Sequence, residues 1–304
     1  MPPDLSGIVP PVVTPFSENG DVRTDAFRRE IRYHLDAGVS GIAVAGSTGE
    51  GNALAVAEHE RLYEIAVEET GPDVPVVAGV IADSTRAGVE RAERAAAAGA
   101  DYVMATPPYY NRPTDEGLIE YFERVGRAAE LPLLIYDVID HVDVSAALAE
   151  RIADEVPQLY GIKQSAGDTH GMTNMLDLVG DRLCIMSAID DLIYPTYALG
   201  ADGSIGGVTS IYPRVSIELW EAVQEGDHDR AREIHFATLP LARRAVWDYD
   251  VNYPGGVKAA IAELGRDPGY PRSPMRLPDG DTRDGIADAL DQMADRGAPE
   301  LAGD

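Results

Sequence analysis

Short apolar runs rich in β-branched residues alternate with Ala/Glu/Arg-rich stretches along most of this chain, and that alternation narrows the possible folds more than any other feature. The runs are 7–13 (GIVPPVV), 41–46 (GIAVAG), 74–80 (VPVVAGV), 101–107 (DYVMATP), 132–138 (PLLIYDV), 159–165 (LYGIKQS), 183–188 (LCIMSA) and 203–208 (GSIGGV). Helix-like stretches lie between them at 24–37, 57–69, 84–98, 114–129, 145–154 and 168–179. This pattern argues for parallel strands with helices packed outside. Eight units predict an α/β fold of the (β/α)8 TIM-barrel type. An open doubly wound sheet would more often carry a Gly-rich fingerprint after its first strand, and PPVVTPF carries none. The 304 residues exceed the roughly 250 that such a barrel needs. The expected division is a barrel core over 1–212, followed over 213–304 by the last barrel helix and a C-terminal helical extension. Within the extension stand a break at Pro254–Gly255–Gly256, a Pro-rich segment over 268–278 and a last helix near 283–294. Thr114 reads as an N-cap with Asp115 and Glu116 in the first turn behind it, and Ser84 opens a helix that Gly99 closes.

Charge excludes several functions. The net charge is −27, and nucleic-acid affinity rests on Lys and Arg neutralising phosphates, so no nucleic acid and no anionic membrane is expected as a partner. The acidic excess is spread along the chain, which reads as a surface adapted to high salt, where counterions screen self-repulsion. No apolar stretch reaches 18 residues, and MPPDLSGIVP lacks the pattern of a secretory signal. The single cysteine, Cys184, rules out an internal disulfide framework and fits a reducing compartment, so a cytoplasmic protein is expected.

In a parallel barrel the active site lies at the C-terminal ends of the strands. Only two lysines occur among the 25 basic residues, and one of them, Lys163, ends the sixth strand run. A lysine walled by barrel side chains loses hydration, which favours its neutral amine. That amine can attack a ketone to form a Schiff base, whose electron withdrawal lets an adjacent C–C bond form or break. A lysine held in place by a nearby Asp or Glu is the plainer reading of GIK alone. Tyr136, at the end of the neighbouring strand run, tips the balance, because adjacent strand ends converge on one pocket.

Other strand ends add candidates. Gly46–Ser47–Thr48–Gly49 is either an anion-binding nest with two hydroxyl donors or an ordinary βα turn. Tyr136 can shuttle protons if its phenol meets other hydroxyls. Asp190–Asp191 reads as a cap for the seventh helix, with binding of substrate hydroxyls as the alternative. The glycines around Ile205 and Gly206 either cradle a phosphate or admit a substrate close to the backbone, and the lack of an accompanying basic residue favours the second. Tyr109 and Tyr110 suit a pocket wall or a subunit contact. The six histidines show no metal-ligand spacing with Cys184, so no metal is expected.

These pieces together resemble the dihydrodipicolinate synthase / N-acetylneuraminate lyase family of Schiff-base aldolases. The matching residues are TPF (14–16), GSTGE (46–50), PPYYNRP (107–113), IYD (135–137), GIK (161–163) and GADGSIGG (200–207), in the family's order and spacing. The resemblance implies pyruvate as the shared substrate part, Lys163 as the Schiff-base lysine and Tyr136 as the proton relay. It implies that Ser47 and Thr48 hold the pyruvate carboxylate and join the relay, and that Tyr110 reaches into a neighbouring subunit's site within a homotetramer. That no organic cofactor is needed is implied only by this resemblance.

One stretch departs from the pattern. Dihydrodipicolinate synthases carry an arginine after the relay tyrosine that binds the carboxylate of aspartate semialdehyde. Here His141 holds that position, and Asp137 and Asp140 add negative charge. That absence, with Ser165, Asp190 and Asp191 available to hydroxyls, directs the expectation toward cleavage of a 2-keto-3-deoxy sugar acid to pyruvate and an aldehyde. The alternatives are 4-hydroxy-tetrahydrodipicolinate synthase, a dehydratase or deaminase using the same imine, and a barrel that binds a 2-oxo acid without turnover.

Overall fold

The computed structural model describes residues 4–165, 168–247, 252–296 and 298. Strands and helices alternate through β1 (Gly7–Ile8), α1 (Thr24–Asp36), β2 (Ile42–Val44), α2 (Val56–Thr70), β3 (Val76–Val80), α3 (Thr85–Ala97), β4 (Tyr102–Ala105) and α4 (Asp115–Ala129). The pattern continues through β5 (Leu133–Asp137), α5 (Ala146–Glu155), β6 (Leu159–Gln164), α6 (Thr169–Val179), β7 (Cys184–Ser187), α7 (Ile193–Ala198) and β8 (Gly203–Ser204). All eight strands are parallel, in the order β1-β8-β7-β6-β5-β4-β3-β2. A parallel bridge between Pro11 and Ala43 joins the ends of the sheet, with Val12 N donating to Ala43 O at 2.8 Å and Ala43 N to Pro10 O at 3.0 Å. The expected (β/α)8 barrel is therefore present. Its first strand is shorter than the 7–13 run, because Pro10 and Pro11 have no N–H to give to a ladder.

Alternation along each strand builds two apolar layers. Val9, Ala43, Val77, Met104, Leu134, Met186 and Ile205 fill the barrel interior. Residues of the opposite face, such as Val44, Ala78, Val103, Ile135 and Ile162, pack against the helices. Each buried Val, Leu, Ile or Met among them stabilises the fold by about 1.5–3 kcal/mol. The predicted helix starts carry their caps: Thr114 Oγ1 accepts from Gly117 N at 3.2 Å, and Ser84 Oγ accepts from Ala87 N at 3.3 Å. Gly99 ends its helix in the left-handed region, with φ 88°.

After β8 come α8 (Gly207–Ile211), α9 (Pro213–Gln224), α10 (His228–Leu241), α11 (Tyr253–Glu263) and α12 (Gly280–Asp295). Pro240, inside α10, has no N–H for the Phe236 carbonyl four residues back; Arg296 Nη1 donates to that carbonyl instead, at 3.1 Å. The helix then widens into a π-turn over Ala242–Trp247, which turns Val246 and Trp247 toward the barrel mouth. Pro254–Gly255–Gly256 does not break a helix as expected. Pro254 lies in the first turn of α11, where a missing N–H costs nothing, and the Asn252 side chain caps that turn through Gly255 N.

Candidate active site

Adjacent strand ends bring the chemistry together. In the β5–β6 register Tyr136 is the partner of Lys163, and in the β6–β7 register Lys163 is the partner of Met186. Lys163 is 3% exposed, and its Nζ stands 3.7 Å from the centroid of the Tyr136 ring. Among the described residues it forms no ion pair, so the reading of a lysine held by a carboxylate does not apply to it. The Tyr136 hydroxyl donates to Ser47 Oγ at 3.1 Å. Thr48 Oγ1 in turn lies 2.7 Å from the Tyr253 hydroxyl.

Backbone strain shapes the turn that carries Ser47 and Thr48. Ala45 and Glu50, on either side of it, adopt left-handed φ values of 55° and 54°. The Ala45 carbonyl is wedged where only glycines fit: a Cβ on Gly51 would lie 1.9 Å from Ala45 O, and one on Gly79 2.5 Å from it. Thr14 Oγ1 donates to Gly49 O at 2.6 Å and anchors the turn to the end of the first strand segment. Gly49 therefore serves packing, standing behind the cavity wall.

A cavity of about 320 Å³ opens here, lined by Ser47, Tyr136, Val138, Asp140, Lys163, Ser165, Ala188, Asp190, Ile205, Val246, Trp247 and Tyr253. That volume suits a small metabolite. A larger crevice between α10 and α12, about 500 Å³, is lined by no nucleophile and no strand-end residue. Of the residues singled out in the sequence, Lys163, Tyr136, Ser47, Ser165, Asp190 and Ile205 share the cavity wall. The Ser165 Oγ has no hydrogen-bond partner among the described residues. Thr48 stands one hydrogen bond behind the wall, and Gly206 stands behind Asp190.

The capping expectation changes, and with it the role of Gly206. Asp190 and Asp191 do not cap the seventh helix: α7 follows Leu192, with no side-chain cap. Asp190 instead accepts from Gly207 N at 3.1 Å and Val208 N at 2.7 Å, holding the start of α8. Gly206 makes room for this carboxylate, since a Cβ there would lie 2.7 Å from Asp190 Oδ1. Burial pushes the Asp190 carboxyl up to about 6, against the opposing pull of those two N–H groups and of Lys163. Asp191 lies outside the cavity wall, beside His235. Tyr110 also lies outside it, 80% exposed, with its backbone N–H donating to Asp83 Oδ1 at 2.7 Å.

Trp247 and Tyr253 went unread in the sequence. They come from the C-terminal part of the chain, 84 and 90 residues beyond Lys163, and no local pattern marks a helical residue that closes a distant barrel. His141, at the expected arginine position, points its Nε2 at Tyr109 O, 2.6 Å away. Among the described residues, no group of three or more His, Cys, Asp or Glu side chains is placed to hold a metal ion.

A parallel eight-stranded barrel with a buried lysine at its C-terminal mouth, beside a hydrogen-bonded tyrosine–serine pair, defines the class of pyruvate-dependent Schiff-base aldolases, which are carbon–carbon lyases. The Dihydrodipicolinate synthetase family model matches residues 4–293, and the chain belongs to that family. Curated relatives include the 4-hydroxy-tetrahydrodipicolinate synthase of Methanopyrus kandleri, 33% identical over 92% of this chain and 93% of that protein. The enzyme of the same name from Thiobacillus denitrificans is 36% identical over 87% and 88%. Among solved structures, the E. coli K12 prophage protein YagE, of the dihydrodipicolinic acid synthase family and in complex with pyruvate, superposes with a TM-score of 0.90. It is 28% identical over 95% of this chain and 99% of that one.

Proposed function

We propose that Lys163 forms an imine with pyruvate and that the resulting enamine makes or breaks a C–C bond to an aldehyde. The observation that carries this is a 3% exposed amine at the barrel mouth that forms no ion pair among the described residues and is stacked on a phenol hydrogen-bonded to Ser47. The amine adds to the ketone carbon, and water leaves as the imine forms. Loss of a proton from C3 gives the enamine, which attacks the aldehyde carbon. Tyr136 supplies the proton that the new alkoxide takes up and recovers one through Ser47. Hydrolysis frees Lys163, and the same steps reversed are retro-aldol cleavage.

The names of the relatives support aspartate semialdehyde as the aldehyde, and hence 4-hydroxy-tetrahydrodipicolinate synthase activity. This takes first place ahead of the sugar-acid reading. Cleavage of a 2-keto-3-deoxy sugar acid stands second, on one specific observation: Asp140 and Ser165 line the cavity, and among the described residues no guanidinium does. An aldehyde bearing a carboxylate would meet Asp140 there without a counter-charge. Tyr110, exposed in one chain, is proposed to complete the site of a neighbouring subunit in a homotetramer, which light scattering tests.

Reduction with borohydride in the presence of pyruvate tests the imine. The expected result is a mass gain mapped to Lys163 and lost in Lys163→Arg; an unlabelled Lys163 in high salt overturns the reading. Parallel assays of semialdehyde condensation and 2-keto-3-deoxygluconate cleavage then choose the aldehyde.

A further inference from the structure

We propose that the crevice between α10 and α12 binds a nucleoside phosphate, with Arg243 and Arg244 facing the phosphate and Phe236 and Arg296 facing the ring. This crevice shares no lining residue with the cavity at Lys163, so the site stands apart from the imine chemistry.

The crevice reverses the sign of its surroundings. The chain holds 52 acidic and 25 basic residues, yet the guanidiniums of Arg243, Arg244 and Arg296 line this crevice against one carboxylate, that of Asp288. Elsewhere an arginine of this protein commonly meets an acidic side chain, as Arg28 meets Glu69 and Arg182 meets Asp154. Among the described residues, Arg243 and Arg296 join no ion pair. A small anion repelled by a net charge of −27 finds here a concave, positively charged place to settle.

Particular residues build its two ends. Consecutive side chains of an α-helix point about 100° apart. Arg243 and Arg244 stand instead in the wider π-turn after α10, and both reach the crevice wall. Gly285 of α12 leaves space opposite them: a Cβ there would lie 4.0 Å from Arg244 Nε. Ala289, one turn on, keeps the middle open. At the far end Arg296 Nη1 donates to Phe236 O at 3.1 Å, which holds a planar guanidinium beside a ring that is 54% exposed. From Gly285 to Arg296 the chain rises about 16 Å, so one small anion does not span both ends. Adjacent guanidiniums at one end match the oxygens of a phosphate. The other end matches a flat ring, since guanidinium planes and aromatic faces both stack. Between them Asp288 and Gln292, one turn apart on α12, offer an acceptor and an amide to the hydroxyls of a sugar. The volume of about 500 Å³ holds such a molecule.

Titration calorimetry of the full chain with ADP, adenosine and inorganic phosphate tests this. ADP is expected to bind about tenfold or more tightly than adenosine, and phosphate to compete with it. Arg243→Gln should weaken ADP about tenfold, the loss of a hydrogen bond between charged groups. Phe236→Ala should weaken ADP about tenfold and leave the affinity for phosphate unchanged, because it removes only the stack. Both side chains are exposed, and unchanged thermal midpoints show that the variants fold; Arg296→Gln, on the other side of the crevice, replaces either one that fails this check. No binding of ADP at millimolar concentration, equal affinities for ADP and adenosine, or an ADP affinity unmoved by Arg243→Gln each overturns the proposal.

Discussion

Lys258 Nζ and Glu50 Oε1 meet at 2.6 Å inside the protein, with side chains 0% and 2% exposed. The same amine donates to Thr14 O and Tyr270 O, each at 2.7 Å, and Arg272 N donates to Glu50 Oε2 at 2.8 Å. One ion pair thus ties the first strand segment, the Ser47–Thr48 turn and the C-terminal extension together. Burial draws the Lys258 pKa down to about 8, while Glu50 pulls the other way, so the ammonium is the form present at neutral pH. The two lysines of this chain therefore have opposite surroundings. Lys258 is saturated with oxygen acceptors, whereas Lys163 has a ring face and an open cavity.

Removing the Lys258 amine strands the Glu50 carboxylate in the core. Lys258→Met is expected to lower stability by about 3–5 kcal/mol, read from urea denaturation. Adding Glu50→Gln should recover part of that loss, because the uncompensated charge goes with it. A single variant as stable as the unsubstituted protein would show that the pair carries no structural burden.

Tyr136→Phe keeps the ring beneath Lys163 and removes only the hydroxyl bonded to Ser47. Borohydride trapping of pyruvate should persist, while kcat for the aldol step should fall by about 10²- to 10⁴-fold. Steady-state kinetics alongside trapping separates the two, and unchanged turnover would remove Tyr136 from the proton path.

Asp137 lies next to Tyr136 but on the outward face of β5, where its Oδ1 accepts from Val144 N at 3.1 Å. Burial pushes its carboxyl from 3.8 up to about 6. A folded-state value above the unfolded one means that protonated Asp137 contributes stability that is fully present below 3.8 and lost as pH rises through about 6. Asp137→Asn stays neutral and should gain on the unsubstituted protein between pH 5 and pH 8 by about 1.4 kcal/mol, the part of the shift that lies above pH 5. Denaturation at the two pH values checks this; a pH-independent difference would count against it.

The surface charge sets the last expectation. With a net charge of −27, self-repulsion falls as added ions shorten the screening length from about 10 Å at 0.1 M to about 3 Å at 1 M. The thermal midpoint is expected to rise with KCl into the molar range. Best folding in dilute buffer would overturn the reading of a salt-adapted surface.

Much of this was legible because it is periodic or local. Ser84, Thr114 and Gly99 act within a few residues of themselves, so their helix ends could be read directly. Lys163 and Tyr136 end consecutive strand runs, and parallel pairing makes consecutive strand ends neighbours. Asp190 was misread because capping was assumed to act on the next helix in sequence. The N–H groups that it meets, on Gly207 and Val208, arrive from the far end of β8.

The sequence by itself determined the strand–helix alternation, and with it the barrel and the strand-end lysine, since these follow from side-chain period and hydrophobic pattern. Only the tertiary structure decided which lysine is saturated with acceptors and which meets no carboxylate among the described residues, and that Trp247 and Tyr253 close the cavity. Those outcomes depend on where the extension folds back across the barrel mouth, a contact between segments 84 to 208 residues apart whose geometry no local spacing records.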